Sequence, residues 1–418
     1  MNRITLKSKE LPRQLRHVTV LARCGVLVMA LIIFGAFEAE SQAAETNDLV
    51  HGNTTFALDL YSRLKATPGN LFVSPFSIST CLALAYGGAR GETAAQMGKV
   101  LHFPNADPHA AFGELQRQMT EAMKPMGVQL DIANALWAQQ GYSFNPAFIE
   151  LAQNQYRANI RQIDFMTQAE AAAGEINKWV SEKTRGKIER VLSQGNLTLL
   201  TRLVLINAIY FKGNWVTRFE KSETQEQYFH LANGSSIMTP LMHHFQEAKY
   251  MATETFQAVE LPYLGNETSM VILLPRQVNG VGQLEQVLSL QLLTTIFSRL
   301  NQQEIELFLP RFTMDSQVDL TGVLAALGMR NAFGTTADFS GIRGGQPLWI
   351  SGVFHHAWVE VNEQGTEAAA VTAVPLTGGS RAPSSPPIVR ADHPFLFLIR
   401  DLRSGSLLFI GRLSAPGK

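Results

Sequence analysis

The stretch that most constrains this chain runs from Glu363 to Pro387 and reads EQGTEAAAVTAVPLTGGSRAPSSPP. It follows a strand-like segment, Ala357 to Val361, and precedes an apolar strand pattern that begins near Pro394. Loops longer than about 12–15 residues are uncommon inside a domain and are usually functional or unstructured. Its two halves differ. Apart from Gly365 and Glu367, Gly365 to Val374 is Ala, Thr and Val, able to become a strand if a sheet opens to receive it. Pro375 to Pro387 carries the breakers and belongs outside any sheet. A flexible linker is the plain alternative.

The 418 residues suffice for one large domain or two to three ordinary ones. With 35 Lys+Arg against 35 Asp+Glu and 46% hydrophobic residues, the chain reads as globular, without a nucleic-acid surface or a polybasic membrane patch. The amino terminus stands apart. Arg3, Lys7, Lys9, Arg13, Arg16 and Arg23 precede an apolar run, Cys24 to Phe37, and then small residues at Ser41-Gln42-Ala43-Ala44. At about 14 residues the run is shorter than the roughly 20 a bilayer span needs, so residues 1–43 are expected to be a secretory signal, with an uncleaved anchor as the alternative. The product would be secreted, extracellular or periplasmic, with no membrane association after signal removal. A single domain is expected over 44–418. Removing the signal leaves Cys81 alone, so no intramolecular disulfide is expected, and its apolar helical setting makes it a buried small hydrophobe.

Thr54 to Lys65 has helical spacing, and Asn70 to Val73 is a short strand. Ser74-Pro75 is a cap followed by proline, and opens a helix over Phe76 to Gly87 that is apolar nearly all round and so buried on all sides. Further helices are expected over Asp107–Met123, Asn145–Tyr156, Ala169–Thr184, Gly282–Leu300 and Leu320–Leu327. Strands are expected over Asp131–Ala138 and Leu203–Phe211, at Tyr228, and over Met238–Met242, Tyr250–Ala252, Phe256–Tyr263, Ser269–Leu274 and Ile305–Leu309. A closing hairpin joins Phe395–Arg400 to Leu407–Leu413. Leu203–Phe211 is apolar throughout, as a central strand covered on both faces would be. Interleaved helices and strands argue for an α+β fold around large mixed sheets.

No nucleophile elbow, zinc-protease helix, paired C-x-x-C or phosphate-binding glycine loop is present. The pairs His243-His244 and His355-His356 suggest a metal, but adjacent strand residues face opposite ways, so each pair offers one ligand at most. The chain is read as no enzyme, with no cofactor and no metal.

Taken together, several blocks resemble the serpin family: NLFVSPFSISTCLALAYGGARGET (70–93), INKWVSEKTRGKI (176–188), VLINAIYFKGNW (204–215), LPRFTMDSQVDL (309–320), VFHHAWVEVNEQGTEAAA (353–370) and DHPFLFLIRDLRSGSLLFIGRL (392–413). The resemblance covers about residues 47–416. It implies three β-sheets, eight or nine helices and an exposed reactive loop over about 363–391. It also implies a function: inhibition of a serine-type, or cysteine-type, endopeptidase as a suicide substrate. In this family the protease cleaves the loop and is held as an acyl-enzyme while the amino-terminal arm enters the main sheet as a new strand. About 14 extended residues at roughly 3.3 Å each span about 46 Å, a domain's breadth. The uncleaved inhibitor is then held kinetically. A monomer is expected.

The resemblance also assigns roles to residues. Glu363, Gly365, Thr366, Ala368, Ala369 and Ala370 match the hinge, where small residues enter the sheet first. Ser74, Ser77, Asn207 and His355 match the shutter that gates sheet opening. Trp215, Arg311 and Glu363 match the breach where insertion begins, with an Arg311–Glu363 ion pair expected. Three features depart from the family. His356 stands where many members have Lys. Pro375 lies within the arm that should insert, where it removes a ladder donor. The loop from Glu363 to Pro394 is about four residues longer than in well-known members, which leaves the attacked bond open. Counting from the hinge gives Gly379-Ser380, and counting back from Pro394 gives Pro383-Ser384. Leu376-Thr377 would suit elastase- or chymotrypsin-like enzymes. Arg381-Ala382 carries the only basic side chain of the Glu363–Pro387 stretch, fits the acidic pocket of a trypsin-like protease and is favoured. The alternative reading is a non-inhibitory binding or storage serpin, for which Pro375 is the support.

Overall fold

The computed structural model describes residues 46–104, 107–123, 128–344, 347–365 and 385–417. The expected signal at 1–43 and the loop positions from Thr366 to Ser384 lie outside the described residues. In chain order the elements are α1 (46–64), β1 (Leu71–Val73), α2 (Pro75–Tyr86), α3 (Gly91–Val100), α4 (Pro108–Met123), β2 (Val128–Gln139), α5 (Pro146–Tyr156), β3 (Asn159–Ile163), α6 (Phe165–Lys183) and β4 (Leu203–Gly213). There follow β5 (Gln225–His230), β6 (Ser236–Ala252), β7 (Phe256–Pro262), β8 (Thr268–Pro275), α7 (Val281–Val287), α8 (Leu290–Arg299), β9 (Asn301–Pro310) and β10 (Phe312–Asp319). The chain closes with α9 (Thr321–Leu327), β11 (Gly352–Val361), β12 (Ile388–Arg390), β13 (Phe395–Asp401) and β14 (Leu407–Leu413).

The fold is α+β, as expected. A five-stranded sheet runs β10-β11-β4-β2-β3, and a nine-stranded ladder runs β1-β14-β13-β8-β7-β6-β9-β12 with β5 on β6. The ladder is continuous because β6 serves two neighbourhoods. Its first part pairs β5 and β9, and its last four residues, Lys249 to Ala252, also pair β7. The three expected sheets are thus the five-stranded sheet and two that share β6.

Composition explains the layering. Every residue of β4 except Lys212 is buried, because α6 covers one face and the body of the protein the other. α2 is buried from Pro75 to Ala85, and Ser74 caps it, its side chain accepting from the Ser77 amide. The thiol of Cys81 lies 3.9 Å from the Ile206 carbonyl, and burial pushes its pKa up to about 12, so it is an inert core group.

The helix expected over Gly282–Leu300 divides into α7 and α8. Leu288 takes an extended conformation and Ser289 caps α8, accepting from the Leu292 amide. Four elements went unread: α3, whose preceding residue Arg90 makes no side-chain cap bond, β3, β10 and the three-residue β12. Among the described residues no helix is long and apolar enough to cross a membrane. No cluster of three or more metal-binding side chains occurs there either.

Candidate functional site

The five-stranded sheet contains a seam. β11 and β4 are parallel neighbours in register from Gly352↔Val204 to Trp358↔Tyr210, while each is antiparallel to its other neighbour, β10 or β2. A strand entering this seam in the reverse direction would pair antiparallel with both sides. The long loop leaves β11 at the top of the seam. Asn362 and Gly365 close a tight turn through two mutual backbone bonds, 3.0 and 3.1 Å long. Gly365 forms an antiparallel bridge to Asn362 on one side and to Asn214, just past β4, on the other. The first reverse-running residue of the loop therefore already sits between the two strands. Only glycine fits there: φ is +107°, and a Cβ would lie 2.3 Å from the Gly213 carbonyl oxygen and 2.5 Å from the Trp215 amide nitrogen.

Around this entry the expected contact group assembles. Glu363 is 3% exposed and forms an ion pair with Arg311, which follows β9 and is half-exposed. Thr224 donates to the same carboxylate at 2.7 Å. Burial pushes the Glu363 carboxyl up, but the bonds from Arg311 and Thr224 outweigh it and hold the group below the usual range. Trp215 is buried, stacks on Tyr263 at 4.5 Å between ring centroids, and donates its indole N–H to the Asn362 carbonyl at 3.0 Å. Thr224, Asn362 and Tyr263 were not anticipated, since no local pattern announces a partner so distant in sequence.

Lower in the seam, Ser74, Ser77, Asn207 and His355 converge, all fully buried. The Ser74 amide donates to His355 Nε2 at 3.1 Å, so that nitrogen carries no proton and Nδ1–H donates to the Asn207 side-chain oxygen. The Asn207 amide donates in turn to Ser77 Oγ and to Asn134 of β2, a member the sequence did not reveal. The Ser74 hydroxyl donates to the Leu408 carbonyl of β14 at 2.7 Å, tying the seam to the second sheet. Burial, and then the charge of His356, lowers His355 to about 3, so the imidazole is neutral.

The histidine pairs divide between faces, as strand geometry requires. His243 stacks on Phe308 while His244 lies near Phe219. His355 turns to the seam network, and His356 faces the Arg190 carbonyl and Asp315. Thr366, Ala368, Ala369 and Ala370, Pro375 and the bond candidates Gly379, Ser380, Arg381 and Ala382 lie outside the described residues. Beyond them Ile388–Arg390 form β12, parallel to β9, so the described end of the stretch is anchored.

Comparison with known proteins gives one family throughout. The profile of the serpin (serine protease inhibitor) family matches residues 51–416. A serpin-like protein of Thermococcus kodakarensis is 40% identical over 374 residues, covering 88% of this chain and 86% of the relative. Leukocyte elastase inhibitor of Bos taurus is 41% identical over 376 residues, covering 87% and 98%. The solved structure of Serpin48 of the insect Tenebrio molitor matches with a TM-score of 0.78 at 32% identity, covering 90% of this chain and 99% of that one.

Proposed function

The chain belongs to the serpin family of protease inhibitors, and on that premise we propose that it inhibits a serine-type endopeptidase as a suicide substrate, by covalent trapping and loop insertion. The observation that carries the reading is the double bridge of Gly365. It is the first rung of a strand lying antiparallel to β4 and β11, and each further residue drawn into the seam would add rungs to both.

Chemically, the protease serine oxygen attacks the carbonyl of the bait residue. The amide breaks, the new α-amino group takes the proton, and the inhibitor stays attached as an ester. Withdrawal of the freed arm into the seam then carries the esterified enzyme from the top of the sheet. Hinge residues Glu363, Gly365, Thr366 and Ala368 to Ala370 start that movement. Breach residues Trp215, Arg311 and Glu363 hold it ready, and shutter residues Ser74, Ser77, Asn207 and His355 let the strands part. Arg381-Ala382 is the favoured bond and implies a trypsin-like target, with Gly379-Ser380 next. The elastase inhibitors among the relatives support including an elastase. The protein is proposed to act as an exported monomer.

Incubation of the protein with trypsin, elastase and subtilisin, followed by denaturing gels, tests the proposal. An adduct resistant to heat and detergent is expected. Clean loop cleavage with the protease fully active would sink it and leave the non-inhibitory reading, which Pro375 favours. Amino-terminal sequencing of the released fragment identifies the bond.

A further inference from the structure

His356 is nearly buried, its side chain 7% exposed, and both of its ring nitrogens face acceptors. Nδ1 lies 2.8 Å from the Arg190 carbonyl oxygen, and Nε2 meets a carboxylate oxygen of Asp315 on β10. A carbonyl and a carboxylate only accept hydrogen bonds, and a neutral imidazole has one N–H to give. Both contacts are made together only by the imidazolium.

The position of these bonds gives them consequence. Arg190 lies in the connector between α6 and β4. That connector is held to α6 by Asn177, whose side chain accepts from the Val191 and Leu192 amides and donates to the Leu192 carbonyl. Gln317 of β10, in register with His356, donates to the Val191 carbonyl at 2.7 Å. His356 thus closes a chain of contacts from α6 through the connector to β11 and β10, across the side of the sheet that must part for a strand to enter. Among the groups packed around it, β10 supplies Asp315 and the uncharged Gln317, and β4 supplies Ala208. The connector supplies Arg190 and also Lys187, whose ammonium sits 4.6 Å from the Trp358 ring centre. His355 lies behind it, neutral in its buried network.

We propose that His356 is a proton-dependent latch on the five-stranded sheet. Protonated, it ties β11 both to the α6–β4 connector and to β10. Deprotonated, it releases one of the two and frees the sheet to open. The Lys that many serpins carry here would hold a constant charge, whereas His changes charge within about pH 5–8. The latch is closed while the ring carries both N–H protons and opens when it gives one up. Its bearing on inhibition rests on the insertion reading above, but the latch itself is tested without a protease, so the two can fail separately.

The test is the unfolding rate in denaturant at pH 5.5 and 8.5 for the protein, H356K and D315A. Asp315 is 61% exposed, so its truncation leaves no buried void. His355 and the other histidines contribute equally to all three, which makes the ratio between variants the readout. Going from pH 5.5 to 8.5, the unfolding rate of the unaltered protein is expected to rise about tenfold relative to H356K, in line with a lost charge-assisted bond. D315A is expected to show the same flattening as H356K. Parallel pH profiles for the protein and H356K overturn the proposal. If H356K does not fold, parallel profiles for the protein and D315A overturn it equally.

Discussion

At the scale of single residues, Gly365 admits the sharpest prediction. A methyl group there meets two backbone atoms, which have no flexible end to yield, and it must do so at a φ of +107°. Gly365→Ala should expel the turn from the seam, costing about 1–3 kcal/mol and shifting the reaction from trapping toward plain cleavage. The check is the number of inhibitor molecules consumed per protease inactivated, which should rise several-fold. Removing the partner of Glu363 is a second case. Arg311→Ala leaves a carboxylate that is 3% exposed with Thr224 as its remaining side-chain donor, a loss of about 1–3 kcal/mol in chemical denaturation. The third concerns His355. Its folded pKa of about 3 lies below the unfolded value near 6.5, so in that interval the unfolded chain binds the extra proton. This group's stabilisation is therefore complete above about pH 6.5 and declines by about 1.4 kcal/mol per unit as pH falls toward 3. Nitrogen NMR of the ring at pH 5 should show a neutral imidazole protonated on Nδ1; an imidazolium would refute it. These roles were only partly legible in the sequence. Family blocks pointed to Arg311, Glu363 and His355, whereas Asn134 and Thr224 reach the site through pairings of distant strands that carry no local mark.

At the scale of elements, legibility followed the strength of the local signal. β4 and α2 were plain because a run buried on every side must be apolar on every side. The two helices α7 and α8 were read as one because their apolar spacing continues through the break. The signal that separates them was present in Ser289, a cap in the middle of an otherwise helical run. β10 does alternate, with Phe312 and Met314 buried and Thr313 and Asp315 exposed, but five of its eight residues are polar. β12 is three residues long and exists only because β9 offers it an edge. The cap of α2 carries a prediction at this scale. Ser74→Ala removes the acceptor for the Ser77 amide and the donor to the Leu408 carbonyl, while the Ser74 backbone still donates to His355. The helix start and the tie between the sheets weaken together. The expected loss is about 1–2 kcal/mol, read from the midpoint of chemical unfolding.

For the whole molecule, the unusual element is a parallel pair, β4 and β11, set inside a sheet whose loop already begins the strand that would separate them. Under the proposed mechanism such a chain has two arrangements of the same sequence. In one the loop stays out as bait. In the other it completes an antiparallel sheet through the seam, with every added residue gaining backbone partners on both sides. Under that mechanism, cutting the loop frees the arm from its covalent link to β12. Cleavage, which ordinarily weakens a protein, should here strengthen it. For roughly 370 folded residues, each 10 °C of melting midpoint corresponds to about 8 kcal/mol at an entropy near 2.1 cal/mol/K per residue. A gain of at least that size is expected after limited proteolysis within 366–384, measured by calorimetry on intact and cut protein. Pro375 enters the same test. Lacking an N–H, it forfeits one rung where the arm should still be paired, so Pro375→Ala should raise the midpoint of the cut form further and leave the intact form unchanged. A cut form that melts at or below the intact one would mean the arm stays outside, and the molecule would then be a serpin that is cleaved without trapping.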